Sequence, residues 1–431
     1  MRVTWSGADV HLHPTGPIRA RVRPPGSKSL TNRYLLCAAL ADGQTILDGA
    51  SLAADADRMV TCLRELGIVI GIRHTNPPQI AVAGCRGHLP AGEAELDAGD
   101  AGTVMRFLTA LITLGYGRYR LDGSPRMRQR PIGPLVGALQ GLGAPLGYDA
   151  EPGFPPVTAM ARGLVGGRVR LDRLASSQFV SALLMVAPYA MSDCFIALRG
   201  RPPSEPYIEM TVQLMRQMGV EVLGDGGRFI VPAGQRYRGG EYAVEPDASA
   251  ATYLWGAAAV TGGAVRVDGL SRASLQGDVH FVDLLEAMGC SISAGPDFLE
   301  VSGPAAGRLR GIDVDLNPMP DTAQTLAVIS LFADGPTTIR NVPNLRLKET
   351  DRLGALVTEL ARLGARVEQR DDGLTIYPPP RVQPATIETY NDHRMAMSFA
   401  LAGLAAEGIT IRNARCVSKS FPQFFEVLQD L

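Results

Sequence analysis

The sequence predicts a mixed α/β protein of two domains, assembled from copies of one helix-and-strand unit. Three observations carry this reading: a chain of 431 residues, a helix-ending Leu-Gly or Met-Gly marker at a near-constant interval, and a second glycine marker in step with it. Single cores stop growing at roughly 250–300 residues, so this length suggests two domains.

The first marker reads helix, Leu/Met-Gly, short strand. It stands as Leu63-Arg-Glu-Leu-Gly-Ile-Val-Ile and returns from Leu139, Met215, Leu285 and Leu360. Its glycines, Gly67, Gly143, Gly219, Gly289 and Gly364, lie 76, 76, 70 and 75 residues apart, and a truncated sixth copy closes the chain at Phe425–Leu431. The second marker follows an alanine-rich helix in Asp42-Gly-Gln-Thr-Ile-Leu-Asp, Gly115-Tyr-Gly-Arg-Tyr-Arg-Leu, Thr261-Gly-Gly-Ala-Val-Arg-Val, Asp334-Gly-Pro-Thr-Thr-Ile and Glu407-Gly-Ile-Thr-Ile. Each offers a glycine suited to a helix C-cap and then an alternating strand. Six units of about 70–76 residues result. They can stack as a solenoid or pack three plus three into two globular halves; periodicity alone leaves both open.

Composition bounds the function. Hydrophobic residues make up 46% and charged residues 20%, enough apolar material for two cores. A net charge of −1 argues against a general nucleic-acid binder, although local arginine clusters can still attract acidic small molecules. The six cysteines form no close pair, which reads as reduced thiols with no disulfide framework and no zinc site. Met1–Pro14 lacks the apolar core of a signal peptide, and the longest apolar runs are about a dozen residues against the ~20 that span a bilayer. A soluble, cytoplasmic protein is expected.

Several short strings point to anion chemistry. In Pro25-Gly-Ser-Lys-Ser-Leu-Thr-Asn-Arg33 a glycine turn enters a helix, so Lys28 and Ser29 sit at its N-terminus with Arg33 one turn on. Free N–H groups and partial positive charge there suit an anion; a serine cap beside a solvated lysine is the plainer alternative. Gly99-Asp-Ala-Gly-Thr-Val-Met-Arg106 opens a second helix, with Gly102 available for a backbone cradle. Pro125-Arg-Met-Arg-Gln-Arg-Pro131 alternates three arginines, which places Arg126, Arg128 and Arg130 on one side of an extended loop. Ser176, Ser177 and Gln178 offer neutral donors at a helix start, as does Ser204 before another. In the last third, Asp321 precedes a helix; Asn344, Lys348, Glu349 and Arg352 crowd into nine residues; Asn391-Asp-His-Arg394 enters an apolar helix; and Lys419 follows. Charge beside a core is costly without a partner, so each is either functional or part of an ion-pair network.

Together, Pro25-Gly-Ser-Lys-Ser, Gly102-Thr-Val-Met-Arg, Pro125-Arg-Met, Arg130-Pro-Ile-Gly, Ser176-Ser-Gln, Lys348-Glu-Thr-Asp-Arg and Asn391-Asp-His-Arg-Met-Ala-Met resemble the 5-enolpyruvylshikimate-3-phosphate synthase family over essentially the whole chain. The resemblance implies an α/β (α+β) fold of two similar domains, each of three βαβαββ repeats around a pseudo-threefold axis, an inside-out α/β barrel. It places an N-terminal domain at 25–243 and a C-terminal one at 1–24 plus 244–431, with the active site in a cleft that closes on binding.

It further implies two substrates, phosphoenolpyruvate and shikimate 3-phosphate, with no metal and no organic cofactor, and no nucleic-acid or membrane partner; a monomer is expected. Shikimate 3-phosphate would be held by Lys28, Ser29, Arg33, Ser176, Ser177, Gln178, Ser204, Asp321, Asn344 and Lys348. Phosphoenolpyruvate would be held by Lys28, Gly102, Arg130, Gln178, Arg352, Arg394 and Lys419. Asp321, Glu349 and Lys28 would be catalytic. Two departures from the common family pattern are Asp100, which adds negative charge near the anion site, and Phe107 in place of proline, a candidate modifier of glyphosate sensitivity. The alternatives are the sister UDP-N-acetylglucosamine enolpyruvyl transferase, whose loop cysteine has no counterpart in Pro125–Gly133, and a non-catalytic paralogue.

Overall fold

The computed structural model describes residues 2–172, 174–200, 202–304 and 308–431. The chain divides into two compact units, one of Gly26–Val244 and one of the residues up to Pro25 together with Glu245–Leu431.

The middle repeat of the first unit shows the pattern. Strand Glu93–Asp97 leads through helix Gly102–Leu111 into strand Tyr116–Asp122, which pairs parallel to the first. Helix Gly133–Gly141 follows, then strands Leu146–Tyr148 and Val157–Arg162, both antiparallel additions. This is βαβαββ. The third repeat repeats it with Gly167–Asp172, Gln178–Val186, Cys194–Arg199, Glu205–Gln217 and Arg228–Val231, its third strand reduced to a single bridge from Leu223 to Ile230. The first repeat begins at helix Lys28–Leu40 and takes its parallel strand, Arg238–Ala243, from the end of the unit.

The other unit follows the same plan with the same displacement. Strand Ala264–Asp268, after helix Ala248–Thr261, takes its parallel partner from Arg19–Val22. A second sheet joins Asp313–Asp315, Thr337–Arg340, Leu374–Tyr377 and Arg366–Gln369. The truncated sixth copy, Ala385–Ile387 and Ile409–Ile411 around helix His393–Ala405, is completed by Asp9–Leu12 and Val3–Ser6 from the opposite end of the chain.

The marker glycines explain where helices stop. Gly67, Gly143, Gly219, Gly289 and Gly364 all have φ between +87° and +101°, a left-handed turn that side chains with a Cβ rarely adopt. The second marker is less uniform: Gly262 is a left-handed C-cap, whereas Gly43 lies inside strand Asp42–Asp48 and Gly115 is extended.

Among the described residues, each unit has three helices buried on nearly every side: Lys28–Leu40, Gly102–Leu111 and Gln178–Val186 in one, Ala248–Thr261, Ala323–Ile329 and His393–Ala405 in the other. A helix apolar all round belongs at the centre, and within each unit these helices pack together. Their first turns are therefore buried too, and the orphan N–H groups there need polar partners. This is where the candidate residues fall.

Candidate active site

In the first unit, Ser27 caps helix Lys28–Leu40 by accepting from the Leu30 N–H. Gly26 is required by a close pass of the chain, since a Cβ there would meet the Gly49 carbonyl oxygen at 1.8 Å. Lys28 opens the helix with its Nζ 3.1 Å from Asp55. Asn32 donates to Thr103 Oγ1 at 2.8 Å, which ties this first turn to that of helix Gly102–Leu111.

At Gly102 two buried guanidinium groups converge. A Cβ there would lie 2.7 Å from a terminal nitrogen of both Arg106 and Arg130. Arg106 donates to the Gly102 and Pro131 carbonyls and Arg130 to the Asp100 carbonyl. Two cations over a helix N-terminus make an anion cradle, and any side chain at 102 would fill it. The extended arginine loop is corrected by the structure. Met127–Gln129 is a 3-10 turn, so Arg128 swings out to pair with Asp122 at 2.7 Å while Arg130 is buried over Gly102. Asp100 turns its carboxylate to Ser124.

Arg33 is folded into the unit. Its guanidinium donates to Thr211 Oγ1 (2.7 Å), Ser29 O (2.9 Å), Tyr207 O (3.2 Å) and Ser181 Oγ (3.3 Å), and stacks 5.2 Å from the centre of the Phe107 ring. Burial pulls it down to about 10, still charged at neutral pH. Phe107 is fully buried and packs on the arginine beneath the first turn. Ser176 accepts from the Gln178 N–H at 3.2 Å, with Ser177 buried beside it. Ser204 is buried in a left-handed conformation (φ +57°) before helix Glu205–Gln217.

The second unit gathers a denser cluster at the starts of its three central helices. Asp321 faces Arg394 at 2.9 Å and Lys348 and Arg352 at 3.4 Å each. Arg352 grips Asp392 with two bonds, 2.7 and 3.1 Å, and reaches Glu349 at 2.9 Å. Burial alone would lower the Arg352 guanidinium, but Asp392, Glu349 and Asp321 outweigh it and hold it well above its ordinary value. Lys419 lies 3.7 Å from the other Glu349 oxygen. Asn344 is buried in the 3-10 turn Pro343–Leu347. Asp392 caps helix His393–Ala405 by accepting from the Arg394 N–H, and Arg394 also reaches Tyr253 Oη and Ser249 Oγ.

Sequence reasoning missed Asp55, Tyr253, Ser249 and Asp278. Asp278 is wholly buried and accepts from Ser249 Oγ at 2.5 Å. Burial, then the negative field of Asp321, pushes its carboxyl up to about 6, against the pull of Ser249 and Arg394. A raised acid is stabilising only while protonated. The penalty is absent below the unfolded value of 3.8, builds between 3.8 and about 6, and is full above. Asp278→Asn keeps an acceptor for Ser249 and is expected to be more stable than wild type at pH 8, by roughly 3 kcal/mol at about 1.36 per pH unit. The advantage should shrink towards zero near pH 4, as thermal midpoints across that range would show; a constant difference would exclude this linkage.

Among the described residues no group of three or more His, Cys, Asp or Glu side chains is arranged to hold a metal ion, and no helix is long and apolar enough to cross a membrane.

A family model described as EPSP synthase (3-phosphoshikimate 1-carboxyvinyltransferase) matches residues 12–428. A 3-phosphoshikimate 1-carboxyvinyltransferase of Nostoc sp. is 48% identical over 95% of this chain and 96% of its own. One of Photobacterium profundum is 45% identical over 97% and 98%. A solved EPSP synthase from Acinetobacter baumannii superposes with a TM-score of 0.80 at 25% identity, over 98% of both chains.

Proposed function

The chain belongs to the EPSP synthase family, and from that membership we infer that it transfers the enolpyruvyl group of phosphoenolpyruvate to the 5-hydroxyl of shikimate 3-phosphate. Phosphate and 5-enolpyruvylshikimate 3-phosphate are the products, on the route to aromatic amino acids. The observation that carries this is the family match across residues 12–428, which takes in every site string from Lys28 to Lys419. The relatives reported above carry the shikimate name, which favours this reaction over the sister transfer to a nucleotide sugar.

Two substrates with two phosphates and two carboxylates need many cations, and the residues present supply them. We assign phosphoenolpyruvate to Lys28, Gly102, Arg130, Gln178, Arg352, Arg394 and Lys419. Shikimate 3-phosphate falls to Lys28, Ser29, Ser176, Ser177, Gln178, Ser204, Asp321, Asn344 and Lys348, with Arg33 adding its charge from beneath Ser29. Arginine suits these ligands through paired donors. The domain roles assigned with them are 25–243 for one half and 1–24 plus 244–431 for the other.

The hydroxyl oxygen attacks the central carbon of phosphoenolpyruvate while the methylene carbon gains a proton and the hydroxyl loses one. The tetrahedral intermediate then returns a proton from the methyl group and expels phosphate, which restores the carbon–carbon double bond. The cycle needs a base and an acid whose roles reverse. Asp321, with three cations within 3.4 Å, is suited to stand as a carboxylate beside the hydroxyl. Glu349, between Arg352 and Lys419, and Lys28 complete the proposed set.

The test is direct. The protein mixed with both substrates should release inorganic phosphate and form the enol ether, and neither substrate alone should do so. No phosphate from the pair would overturn the reading.

A further inference from the structure

Just ahead of Arg394 the backbone is strained. Tyr390 and Asn391 stand at φ +54° and +55°, two consecutive left-handed residues, neither of them glycine. A bulky side chain in this region is a genuine outlier, and such strain persists only where the surroundings impose it. Here the surroundings are specific. Glu359 is fully buried, and its two oxygens accept from the Tyr390 hydroxyl at 2.7 Å and the Glu388 N–H at 3.1 Å. Glu359 lies seven residues, two helical turns, beyond Arg352 on the same face of helix Arg352–Arg362. Arg352 in turn grips Asp392 through two bonds. One helix therefore holds the segment 388–392 at two points, and Asn413 donates to Asn391 at 3.4 Å from a third direction.

We infer that Glu359 and Tyr390 are positioning residues: they hold the left-handed turn that fixes Asp392 at the helix start and so aims Arg394. The inference rests on the proposed function, in which Arg394 receives phosphoenolpyruvate. Burial of a carboxylate at 359 is costly unless its partners are in place; Arg362 stands 3.6 Å from one oxygen, and the shortest described hydrogen bond, to the other, comes from the tyrosine of the strained turn. A surface tyrosine hydroxyl is otherwise free to face water; this one reaches back to the buried acid. Released, the turn would relax towards ordinary φ and carry the first helical turn with it. A displacement of about 1 Å at a binding cation costs up to ~10²-fold in rate.

The experiment compares Tyr390→Phe, Glu359→Leu and Glu359→Gln by steady-state phosphate release. Tyr390→Phe and Glu359→Leu should raise the KM for phosphoenolpyruvate on the order of tenfold or more, while the KM for shikimate 3-phosphate stays within about twofold, because none of its proposed contacts lies in 388–394. Glu359→Gln keeps one acceptor oxygen and should fall between wild type and Glu359→Leu. The thermal midpoint of Tyr390→Phe should move by only a few degrees, which separates aiming from folding. Unchanged KM values in folded Tyr390→Phe, or both KM values rising together with a fall in midpoint, would overturn the assignment. A wild-type chain that releases no phosphate would overturn the parent reading and this inference with it.

Discussion

Asp321→Asn is expected to lower turnover by about 10²–10⁴, the usual cost of losing a general acid or base, while the KM for phosphoenolpyruvate stays level or falls. The geometry sets both halves of that expectation. The Asp321 carboxylate is the common partner of Arg394, Lys348 and Arg352. An amide preserves its shape and one acceptor oxygen, so the surrounding side chains keep their places. It removes one negative charge, however, and leaves three cations more available to an anion within the same few ångströms. A purely structural aspartate would behave otherwise: its loss would scatter those cations and raise KM with little change in turnover per bound substrate. Steady-state rates with each substrate varied in turn distinguish the two, and turnover near wild type would leave Asp321 only a bracing role.

The repeat was readable because its physical cause is local. A helix that ends on a left-handed residue needs glycine there, and five glycines at φ near +90° mark five helix ends whatever packs around them. The exchange of strands Arg19–Val22 and Arg238–Ala243, by contrast, depends on pairings across more than 190 residues, which no window of sequence reports. The truncated sixth copy was visible, but the hairpin that completes it, residues 3–12, carries no local sign of its distant partner.

The site divides along the same line. Lys28, Gly102 and Arg394 stand out because charge or glycine opens an apolar helix. Arg128 and Arg130 look alike in sequence, and only the 3-10 turn between them sends one to the surface and the other over Gly102. Asp278 and Ser249 had no motif of their own. A signal for Ser249 did exist in the repeat register: Asp247-Ala-Ser249 occupies the helix start that Ser27-Lys-Ser29 occupies in the other unit.

Asp392→Ala is expected to cause the largest loss of stability of any single change in the cluster. Asp392 is completely buried, caps helix His393–Ala405 through the Arg394 N–H, and meets Arg352 through both oxygens. Breaking a buried pair from one side costs about 3–5 kcal/mol because the remaining charge is left in a low-dielectric site, and a lost cap adds about 1 kcal/mol. Glu349 and Asp321 still face Arg352, which places the result towards the lower end. At roughly 2–4 °C per kcal/mol for a unit of this size, a loss of about 4 kcal/mol is a fall in Tm of about 8–16 °C. Removing the charge from both sides tests the cause. In Arg352→Met with Asp392→Leu no orphan guanidinium remains, so the double variant should be more stable than Asp392→Ala although it has lost more polar contacts. If it is less stable, the attraction itself outweighs the burial cost of the pair, and the cluster is a source of stability in its own right.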